Sequence, residues 1–226
     1  MSEVRTSSWD RLVEKSTYHF DPTIVDKKED VINTLGQLVP NWDDELEEIL
    51  KDSKPANWET RGFKGEGVFV PKPELVEEEY DLERVGVDPK VIITDLAWKL
   101  GPKLQAISDA FGLKDCMNRI HVQKPGQLWH LHIDKLYKWF PEDPNQVIRI
   151  FIQLTDWQPG QFWEYGNHHW NQWKAGNVTT FDWENLPHST ANAGHHPRVT
   201  LQITGVKTAK TAEFLQILAT GIPVEL

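Results

Sequence analysis

Two hydrophobic periods divide this chain. Up to about residue 115 the apolar positions recur at helical intervals, and from Asn118 onward they alternate with polar ones. In the first part, Asp26 to Leu38 carries Val31, Ile32, Leu35 and Leu38 on one face, and Asp43 to Lys51 has a second short helical signature. The longest helical pattern runs from Asp95 to Phe111, where Leu96, Leu100, Leu104, Ile107 and Phe111 fall three or four residues apart and Gly112 supplies a stop. Pro40 and the Pro55, Pro71 and Pro73 region interrupt these runs.

The second part reads as an antiparallel strand array, with turns at Lys124-Pro-Gly, Pro141-Glu-Asp-Pro-Asn, Gln158-Pro-Gly, Tyr165-Gly-Asn, Lys174-Ala-Gly-Asn and Asn192-Ala-Gly. From Val147 to Leu154, Ile148, Ile150, Ile152 and Leu154 point one way while Arg149, Phe151 and Gln153 point the other. Arg198 to Thr204 repeats this, with Val199, Leu201 and Ile203 opposed to Arg198, Thr200, Gln202 and Thr204. Such strands fit either a sheet with one wet face or a barrel whose apolar outside is covered and whose polar inside lines a cavity. The apolar helices need a surface to cover, which favours the barrel. The expected organisation is one domain over 1–226: a helical and loop region over 1–116, a barrel core over 117–206, and a C-terminal helix, around Thr211 to Thr220, with its tail over 207–226.

The 226 residues suffice for a full hydrophobic core. A formal charge of −10, from 34 acidic and 24 basic residues, argues against a surface made for nucleic acid or anionic membranes. The single cysteine, Cys116, has no internal disulfide partner and is expected as a small buried residue. No apolar run approaches membrane-spanning length and the first residues lack a secretory pattern, so a cytoplasmic location is expected. Eleven tryptophans and nine histidines are the unusual entries in the composition, and most lie from His121 onward.

The chemistry concentrates there. In Trp129-His-Leu-His-Ile-Asp134 a carboxylate follows a histidine by two residues, so on a strand His132 and Asp134 project to one side and can grip one ion. Phe181-Asp-Trp-Glu-Asn-Leu-Pro-His188 delivers a third ligand from a strand that runs into a turn. Two imidazoles and one carboxylate on one face of an octahedral ion leave the other face open, an arrangement suited to Fe(II) and dioxygen. Ten residues beyond His188 comes Arg198, with Thr200 on the same side of its strand; a guanidinium fork and a hydroxyl suit a carboxylate.

In order and spacing, His132-x-Asp134, His188 and Arg198-x-Thr200 resemble the signature of the 2-oxoglutarate/Fe(II) oxygenases. Arg149-Ile-Phe-Ile-Gln-Leu, Trp173 to Asp182 and Pro187-His-Ser-Thr-Ala-Asn look most like the aspartyl/asparaginyl β-hydroxylase-like branch. The resemblance covers roughly 117 to 206. It implies a mainly β fold with flanking helices around a double-stranded β-helix, or jelly-roll, core. It also implies Fe(II) on His132, Asp134 and His188, and 2-oxoglutarate anchored by Arg198 and Thr200. The implied reaction hydroxylates an unactivated C–H bond with dioxygen, releasing succinate and carbon dioxide. Members of that branch often carry glycine at the position of Asp134 and histidine at that of Phe151. These departures turn the expectation from a peptide aspartate toward a small molecule such as an amino acid, with a protein side chain as the other substrate class.

Arg149 faces the same predicted cavity, where a buried guanidinium needs an anion: the metal-bound carboxylate of the co-substrate, a carboxylate on the substrate, or an acidic side chain. Gln153 and Gln202 share that face. His130 alternates with His132 and is a candidate substrate contact, as are Tyr137 and Trp139 in a covering segment. Using His130 and His132 as the ligand pair would instead look like germin-like cupins, a reading helped by His188-Ser-Thr-Ala-Asn192. It is weakened because Leu136 and Tyr137 stand where a glutamate belongs. The alternatives are therefore a cupin dioxygenase or isomerase that does not use 2-oxoglutarate, and a metal- or ligand-binding barrel without turnover. His168 and His169 are placed in a turn, and His195 and His196 in a loop, without roles.

Overall fold

In the computed structural model the described residues are 32–58, 60, 88–132, 134, 136, 139–166, 168–183, 186 and 188–226. Among the described residues, eleven strands lie in two antiparallel sheets. They are β1 (Ile32–Gln37), β2 (Lys54–Ala56), β3 (Thr94–Ala97), β4 (Lys114–Gln123), β5 (Leu128–His132), β6 (Val147–Gln153), β7 (Gln161–Tyr165), β8 (His168–Trp170), β9 (Asn177–Phe181), β10 (His188–Asn192) and β11 (Arg198–Val206). The larger sheet has the order β1-β9-β6-β11-β4-β3-β2 and the smaller one β5-β10-β7-β8. From β4 to β11 the chain passes back and forth between them: β4, β6, β9 and β11 lie in the large sheet, and β5, β7–β8 and β10 in the small one. This alternation is the winding of a jelly roll, the fold class that the resemblance implies.

The period-two alternation of β6 and β11 is realised as read. Ile150, Ile152, Val199, Leu201 and Ile203 join Ile120 and Val122 in one outer core against α1 (Asp43–Asp52), α2 (Pro102–Phe111) and α3 (Ala209–Leu218). These helices contribute Ile49, then Leu104, Ile107 and Phe111, then Phe214 and Leu218. The cover is thus shared between the two ends of the chain. A second core on the inner side is aromatic, built on Phe151, Trp163, Tyr165, Trp173, Phe181 and Trp183. It fills part of the barrel and leaves the polar inner positions grouped beyond it.

Two helical expectations are corrected. Of Asp26 to Leu38, the described part is β1, an edge strand paired with β9. Glycine disfavours a helix at Gly36, and a Cβ there would meet the Leu218 carbonyl oxygen at 2.6 Å, so this position lets α3 pack onto the strand. The Asp95-to-Phe111 pattern splits in two. Pro102 lacks an N–H and restricts the residue before it, so it opens α2 at the first turn, while Thr94–Ala97 forms β3 against β4. The Glu45 carboxylate of α1 accepts from the backbone N–H groups of Lys103 (2.7 Å) and Leu104 (3.1 Å), capping α2 from outside. Gly112, with φ 59°, ends α2 as expected. Two smaller corrections follow: His168 and His169 lie in β8, where His169 pairs with Glu164, and Cys116 is exposed on β4. No helix among the described residues is long and apolar enough to cross a membrane.

Candidate metal centre and anion pocket

His132 ends β5 and His188 opens β10, and the two are direct cross-strand partners with ring centroids 4.2 Å apart. Asp134 follows just beyond the strand end. All three side chains are buried, and one potential ligand atom from each lies within 4.8 Å of the others. His132 Nε2 is 3.8 Å from Asp134 Oδ1, and His188 Nε2 is 3.8 Å from Asp134 Oδ2.

The far side of each imidazole fixes its tautomer. His132 Nδ1 is 2.8 Å from the His130 carbonyl and His188 Nδ1 is 3.2 Å from that of Leu186. A carbonyl only accepts, so both Nδ1 atoms carry a proton and both Nε2 atoms are turned toward Asp134. Burial, reinforced by His132 and opposed by Asp134, pushes His188 down to about 3, leaving it neutral and able to ligate at physiological pH. Burial alone would raise the Asp134 carboxyl, but Arg149 and then His188 and His132 outweigh it and hold the group ionised, well below the usual carboxylate range. Two imidazoles whose Nδ1 atoms are engaged outside the cluster, together with a carboxylate, fit a divalent transition metal.

The β-bulge between β5 and β10 settles which histidine faces inward. Three residues of β5 span two of β10, so Trp129 and His132 both turn inward and stack, 5.9 Å apart at 26°. His130 therefore does not share the inner face of His132, contrary to simple alternation, and it stands outside the buried ligand group. It lies at the rim, partly exposed, with Nδ1 3.2 Å from the Trp58 indole nitrogen. The same indole packs edge-on against His132 at 5.5 Å.

Opposite the ligands, the inner face of the large sheet carries Arg149 and Arg198. Arg149 makes an ion pair through Nη1 with Asp134, and its Nε donates to Thr204 Oγ1 at 3.1 Å. Its anion in this structure is thus the acidic metal-ligand candidate itself. Arg198 differs. It is 3% exposed, its Nε and Nη1 have no hydrogen-bond partner among the described residues, and its guanidinium lies 4.5 Å from the centroid of the Trp163 ring. Burial pushes it down to about 9, against an opposing contribution from Tyr165, so it stays charged at neutral pH. A buried cation with unmet donors could receive an anion. Thr200, on the same face, donates its hydroxyl to Gln153 Oε1 at 3.0 Å.

Trp139 donates its indole N–H to the Asp115 carbonyl at 3.1 Å and packs beside the aromatic core, while Tyr137 lies outside the described residues. Sequence reasoning missed Trp58, Trp163 and Tyr165. Tyr165 stacks on His188 and on Trp163, and its buried hydroxyl has no partner among the described residues. Its ring thus lies against His188 of the ligand cluster and against Trp163, which carries the Arg198 guanidinium. The alternation in Gln161-Phe-Trp-Glu-Tyr165 was a usable signal, since it puts Trp163 and Tyr165 on one face.

No family model matches the chain, and no curated protein does. Among solved structures, a prolyl-4-hydroxylase from Pseudomonas putida is similar at 14% identity with a TM-score of 0.48, over 85% of this chain and all of that one. A predicted oxalate decarboxylase from Thermotoga maritima (17% identity, TM-score 0.33) covers 50% of this chain and 80% of its own. A cupin 2 conserved barrel protein from Salinispora arenicola (12%, TM-score 0.30) covers 55% and 84%.

Proposed function

We propose that this chain is a non-haem Fe(II), 2-oxoglutarate-dependent oxygenase that hydroxylates a C–H bond of a small molecule, an amino acid among the candidates, or of a protein side chain. The observation that carries the reading is Arg198: a buried guanidinium with unmet donors, on the wall opposite a buried His132, Asp134 and His188 cluster. A metal site alone suits many barrel proteins. A metal site paired with a fixed anion receptor suits a co-substrate that chelates at one end and carries a carboxylate at the other.

His132, Asp134 and His188 would hold the ion through Nε2, a carboxylate oxygen and Nε2. Bound Fe(II) would supply the redox chemistry that couples decarboxylation of 2-oxoglutarate, to succinate and carbon dioxide, with insertion of one atom of dioxygen into a C–H bond. The protein's own part is geometry and electrostatics. Arg198, lying over the Trp163 ring, would hold the distal carboxylate, Tyr165 would offer its unpartnered buried hydroxyl to the bound co-substrate, and Phe151, Trp163 and Phe181 would keep water out of the inner barrel. Arg149, buried against Asp134, fixes the orientation of that carboxylate and lies where a metal-bound carboxylate or the substrate's own would meet it.

The test is anaerobic titration of the Fe(II)-loaded protein with 2-oxoglutarate, following the visible metal-to-ligand charge-transfer absorption, with Arg198→Ala in parallel. A band in the wild type that weakens strongly in the variant supports the reading and opens a substrate screen by succinate release. Absence of a band with Fe(II) demonstrably bound overturns it in favour of a metal-dependent cupin-type barrel, in which Arg198 is structural.

A further inference from the structure

A threonine hydroxyl has one hydrogen, and in this structure Thr200 gives it to Gln153 Oε1. Committed in that way, the hydroxyl presents only lone pairs to an incoming carboxylate. Gln153 is fully buried on β6, directly across from Thr200 on β11. With its carbonyl oxygen held by Thr200, its amide orientation is set, and the remaining group is the NH2: Nε2 is buried without a hydrogen-bond partner among the described residues. Arg198 stands two residues before Thr200 on the same inner face, a diagonal neighbour of Gln153 within reach of two long side chains. Three buried donor atoms therefore want an acceptor on adjoining strands: Arg198 Nε, Arg198 Nη1 and Gln153 Nε2. Polar groups buried in this way are normally satisfied, by protein, water or ligand.

We infer that Gln153 is a co-substrate-binding residue, whose Nε2 joins Arg198 in cradling the distal carboxylate of a 2-oxo diacid, while Thr200 is a positioning residue that acts through Gln153. This rests on the co-substrate reading above and refines it. The amide adds a neutral donor whose direction is fixed, so the cradle selects for a carboxylate at a set distance from the chelating end of the co-substrate. The sequence signature by itself assigns the second contact to Thr200.

The experiment uses the full Fe(II)-loaded chain under anaerobic conditions. Wild type, Gln153→Leu, Gln153→Glu and Thr200→Val are titrated with 2-oxoglutarate and with 2-oxobutanoate, which has the same chelating end but no distal carboxylate. Charge-transfer absorption reports binding, and circular dichroism with the metal-dependent unfolding midpoint reports folding. Gln153→Leu is expected to weaken 2-oxoglutarate roughly ten- to hundredfold, the loss of one hydrogen bond to a charged group, and to leave 2-oxobutanoate unchanged. Gln153→Glu, which sets a carboxylate against a carboxylate, should weaken 2-oxoglutarate further. Equal losses for both oxo acids would make Gln153 a structural residue and overturn the inference, as would unchanged binding in Gln153→Leu. A large loss in Thr200→Val with Gln153→Leu silent would return the contact to the hydroxyl. Failure of the wild type to bind 2-oxoglutarate is a separate result: it removes the co-substrate reading, and this inference with it.

Discussion

Arg149 and Asp134 form a buried ion pair that bridges the two sheets beside His132 and His188. The pair gives Asp134 a positive partner when no ion is bound, which keeps a buried carboxylate ionised and aimed between His132 and His188. Removing one member of a buried pair strands the other, a cost of about 3–5 kcal/mol. Arg149→Met should therefore destabilise the metal-free protein by about 3 kcal/mol, and a bound divalent ion should recover part of that loss by replacing the missing positive charge at Asp134. Urea unfolding with and without Mn(II) checks this. A small cost, the same in both conditions, would show that the pair contributes little to the fold.

Acid should destabilise the metal-free protein from a pH well above the carboxylate range. His188 is pushed down to about 3, and His121 is held well below its ordinary value by burial and by Arg119, Arg198 and Arg149, while both would titrate near 6.5 in the unfolded chain. Between these limits the unfolded chain binds protons that the folded one refuses. Stability therefore rises with pH in that window: the contribution is complete above 6.5 and is lost as pH falls toward 3. Each group contributes a slope of up to about 1.4 kcal/mol per pH unit. Asp134, depressed rather than raised, acts in the same direction but only below 3.8. Urea midpoints measured from about pH 7 to about pH 5 should fall, with a shallower slope in His188→Gln. A flat profile in the wild type would contradict the burial of neutral imidazoles.

The parts of this molecule legible in the sequence are those whose signals are local. Ile148, Ile150 and Ile152 alternate with Arg149 and Phe151 whatever their partners, so β6 could be read alone. Asp134 follows His132 by two residues and Arg198 follows His188 by ten, so the site could be assembled from spacing. What was not legible depends on distant partners. β1 has helix-compatible spacing and becomes a strand because β9, some 145 residues on, offers it an edge. Regular alternation puts His130 on the face of His132, and the bulge between His188 and Thr190 breaks that alternation. Trp58 meets His130 and His132 across 72 and 74 residues, with no local pattern to announce it.

Glu45 illustrates the same point on the stability side. Its carboxylate caps α2 rather than its own helix, and Gly101 leaves the room it needs: a Cβ on Gly101 would meet the Glu45 carboxylate atoms at 2.2–2.6 Å. Glu45→Ala should cost about 1 kcal/mol, the usual value of a helix cap, and Gly101→Ala more because it displaces the carboxylate while adding a clash. Both should leave metal affinity unchanged, since α1 and α2 pack on the outer side of the large sheet. Paired denaturation and metal titration would test the separation, and a loss of metal binding in either variant would contradict it.

The candidate metal ligands themselves should divide by what each leaves behind. In the wild type a divalent ion should stabilise the fold in a concentration-dependent way, by about 2.7 kcal/mol at a hundredfold excess over the dissociation constant. Asp134→Asn and His188→Gln should both abolish that gain, because each removes one of three ligands. Their metal-free stabilities should differ. Asp134→Asn leaves Arg149 buried without its anion and should cost about 3 kcal/mol. His188→Gln removes an imidazole that is neutral in the fold, so it strands no charge; it loses its hydrogen bond to the Leu186 carbonyl, about 1 kcal/mol, and part of its ring contact with Tyr165 and Phe181. Urea unfolding of the two variants in chelator, then with Mn(II), separates ligand loss from charge stranding. Equal costs in chelator would mean that Arg149 finds another partner when Asp134 is neutral, and persistence of the metal-dependent gain in either variant would exclude that residue from the ligand set.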